Sequence, residues 1–268
     1  MTNPHLRERA TFAGALARSA GALAQRYFVG ELAFAVESKG ERQDWVSAAD
    51  HAVEAYVRDA LAERFPDDSM LGEEAGGALS DRLWIVDPID GTLNFVHGMR
   101  YWCVSIAYIE RGARRVAAIY DPSLDELFVA AAGDGARCND APIHVTNCAS
   151  LDHALISQGY VHRHDLDRHL ALRRALLAAG AAVKDPGAGA LMLAHVAAGR
   201  FDAFYEPHMH PWDASAGLLL IEEAGGRVAP YPGPDGLVPG GEVLAAAPGI
   251  YERLEGLVTA SRKTPDPR

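Results

Sequence analysis

The strongest constraint on this chain lies in one run, Leu83-Trp84-Ile85-Val86-Asp87-Pro88-Ile89-Asp90-Gly91-Thr92-Leu93-Asn94-Phe95. The apolar residues Leu83 to Val86 predict a buried strand. The next six residues hold two carboxylates, a proline, a glycine and a threonine, and predict a turn. A buried strand running into an acidic turn is costly unless something neutralises the charges. A hard dication does this well, because Mg2+ is held by one or two carboxylates together with phosphate oxygens. Pro88 fixes the backbone between Asp87 and Asp90, so both carboxylates can face one point with the Ile89 carbonyl turned the same way. Gly91 lets the backbone approach a ligand closely. A helix opening at Thr92 would offer the free N–H groups of its first turn to an anion. Read alone, the same residues also fit an ordinary Asp-Pro and Asp-Gly turn at a strand end.

The rest of the chain bears on that choice. Its 268 residues, 49% of them apolar, suffice for one compact unit with a real core. The formal charge of −11 argues against a nucleic-acid surface. Three cysteines, Cys103, Cys138 and Cys148, form no C-x-x-C pair and no disulfide framework, which points to a reducing cytoplasm. No apolar run is long enough to span a membrane, and the polar start Met1 to His5 has no signal-peptide core.

Periodicity predicts a helix from about Leu6 to Phe28, a short strand from Leu32 to Val36, and a charged loop from Lys39 to Arg42. A second helix, Ala49 to Phe65, carries Asp50 near its N-terminus and a stripe of Val53, Tyr56, Val57, Ala60, Leu61 and Phe65. After the central run, strands at Trp102 to Ile109, Arg115 to Tyr120, Glu126 to Ala131 and Ala136 to Cys138 read as an antiparallel meander. Strands and helices then alternate. The strands are Ala154 to Ser157, Ala181 to Lys184, Phe201 to Tyr205, Val228, and Val243 to Ala246. The helices are Leu166 to Ala179, Gly189 to Ala198, Trp212 to Glu223 and Ile250 to Ala260. The helix Trp212 to Glu223 is apolar nearly all round, so it should lie between layers, with Gly225 as its stop. The pattern is α/β (α+β layered).

Three further stretches accompany the central run: Asp44-Trp45-Val46-Ser47-Ala48-Ala49-Asp50, Leu71-Gly72-Glu73-Glu74, and Trp212-Asp213-Ala214-Ser215-Ala216-Gly217 leading to Glu223-Ala224-Gly225-Gly226. With these four motifs the chain resembles the inositol monophosphatase family, part of the Mg2+-dependent, lithium-sensitive sugar-phosphatase superfamily, over nearly its whole length. The resemblance implies an alternating αβαβα sandwich with two subdomains in one unit. An N-terminal α+β subdomain would span residues 1–145, a C-terminal α/β subdomain 146–262, and a frayed polar tail 263–268.

The resemblance also implies a division of labour. Glu73, Asp87 and the Ile89 carbonyl would hold a first Mg2+, and Asp87, Asp90 and Asp213 a second. A third, weaker ion is implied near Glu73. Four carboxylates, Glu73, Asp87, Asp90 and Asp213, sum to −4 and repel a phosphate monoester; two Mg2+ bring the set to zero. Thr92 and Asp50 resemble a dyad that orients the attacking water and takes its proton, with Glu73 as a further catalytic residue. The N–H groups of Gly91 and Thr92 would hold phosphate. Gly187, Gly189 and Glu206, with Asp90 and Asp213, would contact substrate, Glu206 accepting from its hydroxyls. The implied reaction is hydrolysis of inositol monophosphate or a similar small polyol phosphate by a metal-activated water, in a cytoplasmic homodimer.

Other readings stay open. Within the superfamily the substrate could be histidinol phosphate, a sugar bisphosphate or an adenosine bisphosphate. From another class, the chain could be a regulatory protein that keeps the fold and binds a partner. The loop before Gly187 departs from the family pattern. Lys184 and Asp185 stand where an arginine and a small hydroxyl residue are usual, and Ala188 replaces a serine or threonine. Asp185, if it faces the pocket, would favour a substrate with an amine. Asp44, Asp50 and Asp213 also fit as helix-start carboxylates, and Glu74 as a solvated neighbour. His208 and His210 before Asp213 leave room for zinc, against a ligand set otherwise of hard oxygens. His162, His164 and His169 read as solvated, and Trp84, Trp102 and Trp212 as packing.

Overall fold

The computed structural model describes residues 3–33, 36–38, 45–160, 165–233 and 236–262. Helix α1 (Pro4–Phe28) starts on the Asn3 side chain, which accepts the His5 N–H at 3.1 Å. An antiparallel ribbon of β1 (Val36–Ser38) and β2 (Trp45–Ser47) leads into α2 (Ala48–Arg64). Then come β3 (Ser69–Gly72), β4 (Arg82–Asp90) and the short helix α3 (Thr92–Val96). The meander follows as β5 (Cys103–Glu110), β6 (Ala113–Asp121), β7 (Glu126–Ala131), β8 (Ala136–Cys138) and β9 (Ala141–Pro142). The C-terminal half runs β10 (Leu155–Gln158), α4 (Leu166–Ala178), β11 (Ala182–Lys184), α5 (Gly189–Ala197) and β12 (Ala203–Met209). It closes with α6 (Pro211–Glu223), β13 (Arg227–Val228), β14 (Gly241–Ala246) and α7 (Tyr251–Ser261).

The strands form two large sheets. One has seven strands in the order β3 to β9, antiparallel throughout except for the parallel pair β3 and β4. The other has the order β11-β10-β12-β14-β13, with β10 parallel to both of its neighbours. Three apolar clusters separate five layers. Ala13, Ala17 and Ala20 of α1 and Val53 and Val57 of α2 pack on Trp84, Val86 and Tyr108 of the first sheet. Leu83 and Ile85, on the other face of β4, meet Leu191 and Leu193 of α5 and Leu218 and Leu220 of α6, which also cover Phe204 and Val243 of the second sheet. Leu172 and Leu176 of α4 and Leu254 and Val258 of α7 close that sheet's outer face. The α/β/α/β/α order is the expected layered sandwich. Buried apolar area on both faces of both sheets supplies its main driving force. Residues Ala214 to Ile221 of α6 are all buried, as its all-round apolar sequence predicts for a helix between sheets.

Several local expectations are corrected. Leu32 is a bend residue outside any strand, 34–35 lie outside the described residues, and the described strand is Val36–Ser38. The acidic run Asp87 to Asp90 is no free turn but the end of β4. Its register with β5 shifts between Asp87 and Asp90, where Pro88 has no N–H to give to the ladder. Tyr56 is exposed and lies outside the buried stripe of α2. Helix α7 runs one residue past the expected end at Ala260, to Ser261, which is buried with its hydroxyl donating to the Val258 carbonyl. Asp44, Lys39 to Arg42, His162 and His164 lie outside the described residues. Cys103, Cys138 and Cys148 are free thiols.

Candidate metal centre

The side-chain alternation of β4 places the first carboxylate. Leu83, Ile85 and Asp87 share the face that looks at the α5 and α6 layer, so Asp87 meets the first turn of α6. Asp213 stands in that turn, and its carboxylate also accepts the His210 N–H at 3.2 Å as a helix cap. Glu73 arrives from the end of β3, where its N–H donates to the Val86 carbonyl at 3.2 Å. One oxygen each of Glu73, Asp87 and Asp213 lie within 4.8 Å of one another.

Asp90 is turned elsewhere by the irregular register. Its carboxylate accepts the N–H groups of Gly189 at 3.0 Å and Leu191 at 3.1 Å, capping the N-terminus of α5. The Cys103 thiol approaches the same carboxylate at 3.5 Å. Asp90 therefore lines the cavity with Glu73, Asp87 and Asp213, yet lies outside the tight three-carboxylate cluster. Its Oδ2 takes both the Leu191 N–H and the thiol, while Oδ1, which takes the Gly189 N–H, keeps a lone pair for a further contact.

Gly91 caps α3 at φ +90°, and a Cβ there would meet the Ala188 Cβ at 2.9 Å and the Tyr101 carbonyl at 3.1 Å. Glycine is required on both counts. The Thr92 hydroxyl lies 3.0 Å from the Ile89 carbonyl and 3.4 Å from an Asp50 carboxylate oxygen. It has one hydrogen to give, and the nearer acceptor is the better placed. Asp50 is buried in the first turn of α2.

The remaining wall comes from the second sheet and its loops. Glu206 on β12, Gly187, Gly189 and Asp185 line the cavity with Gly159, Tyr160, Met192 and Met209. The whole encloses about 230 Å3, room for a small molecule. Six of the lining side chains are carboxylates, and no lysine, arginine or histidine is among the described lining residues. The charge arrangement is strained. Burial, then the charges of Glu73, Asp213 and Asp90, drive the Asp87 carboxyl well above its usual range. Burial and the charges of Glu73 and Asp90 do the same to Asp213. Asp90 is pushed up to about 6 by burial, a rise held back by the α5 N–H groups. Hard carboxylate oxygens that converge in this way fit a divalent cation.

Some of this was not expected from sequence. Glu54 of α2 is buried and accepts the N–H groups of Glu74 at 2.7 Å and Ala75 at 3.0 Å, fixing the loop after Glu73. Its spacing on the buried stripe with Asp50, Val57 and Leu61 was the available signal. Asn94 donates to the Tyr101 carbonyl at 2.8 Å and the Pro186 carbonyl at 2.9 Å, tying α3 to the loop that holds Asp185 and Gly187. Glu74 is half-buried rather than simply solvated, since its N–H serves Glu54. His169 is likewise not solvated: it lies 4.8 Å from the Tyr160 ring, and its carbonyl accepts from Gln158. His208 sits 2.7 Å from the Pro239 carbonyl and His210 stacks on Trp212. The three-ligand cluster among the described residues contains carboxylates alone.

Known proteins share this fold and sequence over most of the chain. A model of the inositol monophosphatase family matches residues 5–264. The Nus factor SuhB of Pseudomonas aeruginosa is 37% identical over 247 residues, 89% of this chain and 91% of its own length. A Thermotoga maritima IMPase structure superposes with a TM-score of 0.87 at 31% identity, covering 96% of this chain and 98% of that one. An IMPase/NADP phosphatase solved with NADP and Ca2+ superposes with a TM-score of 0.82 at 25% identity, covering 97% of this chain and 98% of that one. Among the described residues no helix is long and apolar enough to cross a membrane. The layered sandwich, the carboxylate cluster at the end of β4 and a family match over almost every residue lead to one assignment: this chain belongs to the inositol monophosphatase family, which supports a phosphatase of that superfamily.

Proposed function

We propose that this protein is a Mg2+-dependent phosphomonoesterase that hydrolyses inositol monophosphate or a similar small polyol phosphate to the alcohol and inorganic phosphate. The observation that carries the reading is the convergence of Glu73, Asp87 and Asp213 in a small cavity with no protein cation among its described lining residues. Asp87 would be a ligand to both of two ions, with Glu73 and the Ile89 carbonyl completing one ligand set and Asp90 and Asp213 the other. A third ion would be weaker and near Glu73. When bound, the ions supply charge compensation, a more acidic water and stabilisation of the leaving oxygen.

The chain's own residues do the rest. Asp50 and Thr92 orient the attacking water and accept its proton, Glu73 assisting. The N–H groups of Gly91 and Thr92 at the start of α3, which a helix leaves without internal acceptors, hold the phosphoryl oxygens. Gly187 and Gly189 admit the alcohol closely, and Glu206 accepts from its hydroxyls. The same reading expects lithium inhibition, a cytoplasmic homodimer and no nucleic-acid substrate.

The test is steady-state phosphate release from inositol monophosphate with Mg2+ and with chelator. Release that requires the ion supports the reading; no release from any small phosphate monoester with Mg2+ rejects it. The name Nus factor, carried by relatives such as that of Pseudomonas aeruginosa, supports a second reading, a regulatory protein that binds a partner. The complete acidic set favours the enzyme.

A further inference from the structure

The cavity holds more negative charge than two ions at its deep end account for. Glu73, Asp87, Asp90 and Asp213 belong to that end. Glu206 and Asp185 are further members: burial first, then the charges of Asp213, Asp185 and Asp90, push the Glu206 carboxyl well above its usual range, a strain that a cation beside it would relieve. A Cβ at Gly159 would fall 2.2 Å from a Glu206 carboxylate oxygen and one at Gly189 would fall 3.9 Å from it, which puts this carboxylate against the β10 and α5 wall. Among the described residues Glu206 has neither a hydrogen-bond donor nor a cationic partner. Asp185 stands exposed at the mouth, where it accepts the Gly187 N–H and feels Arg173 only at a distance. Tyr160, Met192 and Met209 line the same cavity.

Resting on the phosphatase reading above, we infer that the pocket takes a phosphate monoester whose alcohol portion carries a protonated amine, seated between Glu206 and Asp185. A neutral polyol can hydrogen-bond to Glu206 but leaves both charges uncompensated. An ammonium offsets them and can donate to both carboxylates. The ester then presents its dianionic phosphate to the ion-loaded end and its cation to the other, matching the charge gradient of the cavity. A half-buried carboxylate facing a cation a few ångströms away is worth about tenfold or more in affinity.

The experiment compares 2-aminoethyl with 2-hydroxyethyl phosphate, and 3-aminopropyl with 3-hydroxypropyl phosphate, at neutral pH with Mg2+. Within each pair only one terminal atom changes. The expected result is a kcat/KM ratio of about ten or more for the amine in at least one pair. That ratio should fall several-fold in both Asp185→Asn and Glu206→Gln. Asp185 is exposed at the pocket mouth, so its variant keeps the test valid should Glu206→Gln fold poorly. Ratios near one in both pairs, or a preference untouched by either substitution, overturn the inference. Turnover of the hydroxy esters without an amine preference sinks this inference alone, whereas no turnover of any ester sinks the phosphatase reading with it.

Discussion

The carboxylate of Glu54, midway along α2, accepts the backbone N–H of Glu74 at 2.7 Å. The same carboxylate takes the Ala75 N–H at 3.0 Å and pairs with Arg58 at 2.7 Å. Gly72 makes the approach possible, since a Cβ there would fall 2.4 Å from the Glu54 carboxyl carbon. Glu73 is the member of the acidic cluster that comes from a loop, and this contact immobilises the residues after it. Glu54→Gln keeps the shape but removes the charge and one of the two acceptor oxygens, weakening all three contacts. The Mg2+ concentration for half-maximal phosphate release should rise about tenfold, the usual cost of losing such a supporting contact. An unchanged ion titration in a folded variant would show that Glu54 braces the fold and not the site.

Asp213 carries two duties that one substitution separates. Its carboxylate caps α6 through the His210 N–H, and its charge opposes those of Glu73 and Asp90. Asp213→Asn preserves an acceptor for the cap and removes the charge. Without divalent ions the variant should melt higher than the parent, by about 2–4 °C for each kcal/mol of repulsion relieved. With Mg2+ the order should reverse, because the parent alone gains the full binding energy. Turnover should drop by several orders of magnitude. Thermal melts with and without Mg2+, beside an activity assay, check all three; a parent that melts higher in chelator contradicts the repulsion.

Asp90 joins the two sheets' elements, and its substitutions should divide by geometry. Asp90→Ala strips the cap from Gly189 and Leu191, for a loss of about 1–2 kcal/mol. Asp90→Asn keeps one acceptor and should lose less stability, while losing turnover as fully as Asp90→Ala. Denaturant unfolding and phosphate release on the two variants test this. Equal stability losses would show that the α5 cap contributes little.

How far such features could be read in advance follows from their range along the chain. The run from Leu83 to Val86 and the apolar helix from Trp212 declare themselves through local periodicity, and the layers follow from where their two faces must go. The Asp87, Asp90 and Asp213 carboxylates are legible because each sits at the end of an element with a recognisable pattern. The partners of Asp90 were not legible. A carboxylate from β4 capping a helix 99 residues later is set by tertiary packing, and Ala188 at the helix start offers no local cap that signals it. Glu54 hid for the opposite reason. It sits on an apolar stripe where a glutamate reads as an error of spacing until the loop that it holds is in view. The bulge at Pro88 combines both cases: the proline is plain in the sequence, but its effect depends on which strand β4 pairs with.

His195, deep in α5, gives the fold a pH dependence of predictable sign. It is buried against Tyr101, Phe128 and Phe201. Its Nε2 lies 3.0 Å from the Arg200 guanidinium and its Nδ1 lies 3.1 Å from the Tyr101 hydroxyl. Arg200 can only donate, so Nε2 is the acceptor and the ring is neutral, with its hydrogen on Nδ1 toward Tyr101. Burial, with Arg200 second and Glu126 opposing, lowers its pKa from 6.5 to about 4. The unfolded chain therefore binds a proton in a window where the folded chain does not. Stability from this group is complete above pH 6.5 and is lost as the pH falls toward 4. The loss reaches about 3 kcal/mol at the lower end. His195→Gln retains a polar side chain that does not titrate, so the difference in unfolding free energy between parent and variant should shrink by that amount from pH 7 to pH 4. Acidic groups elsewhere titrate alike in both proteins and cancel in the difference. Denaturant unfolding of the pair across that range is the measurement, and a difference that stays flat with pH would show that the fold does not depress the imidazole pKa.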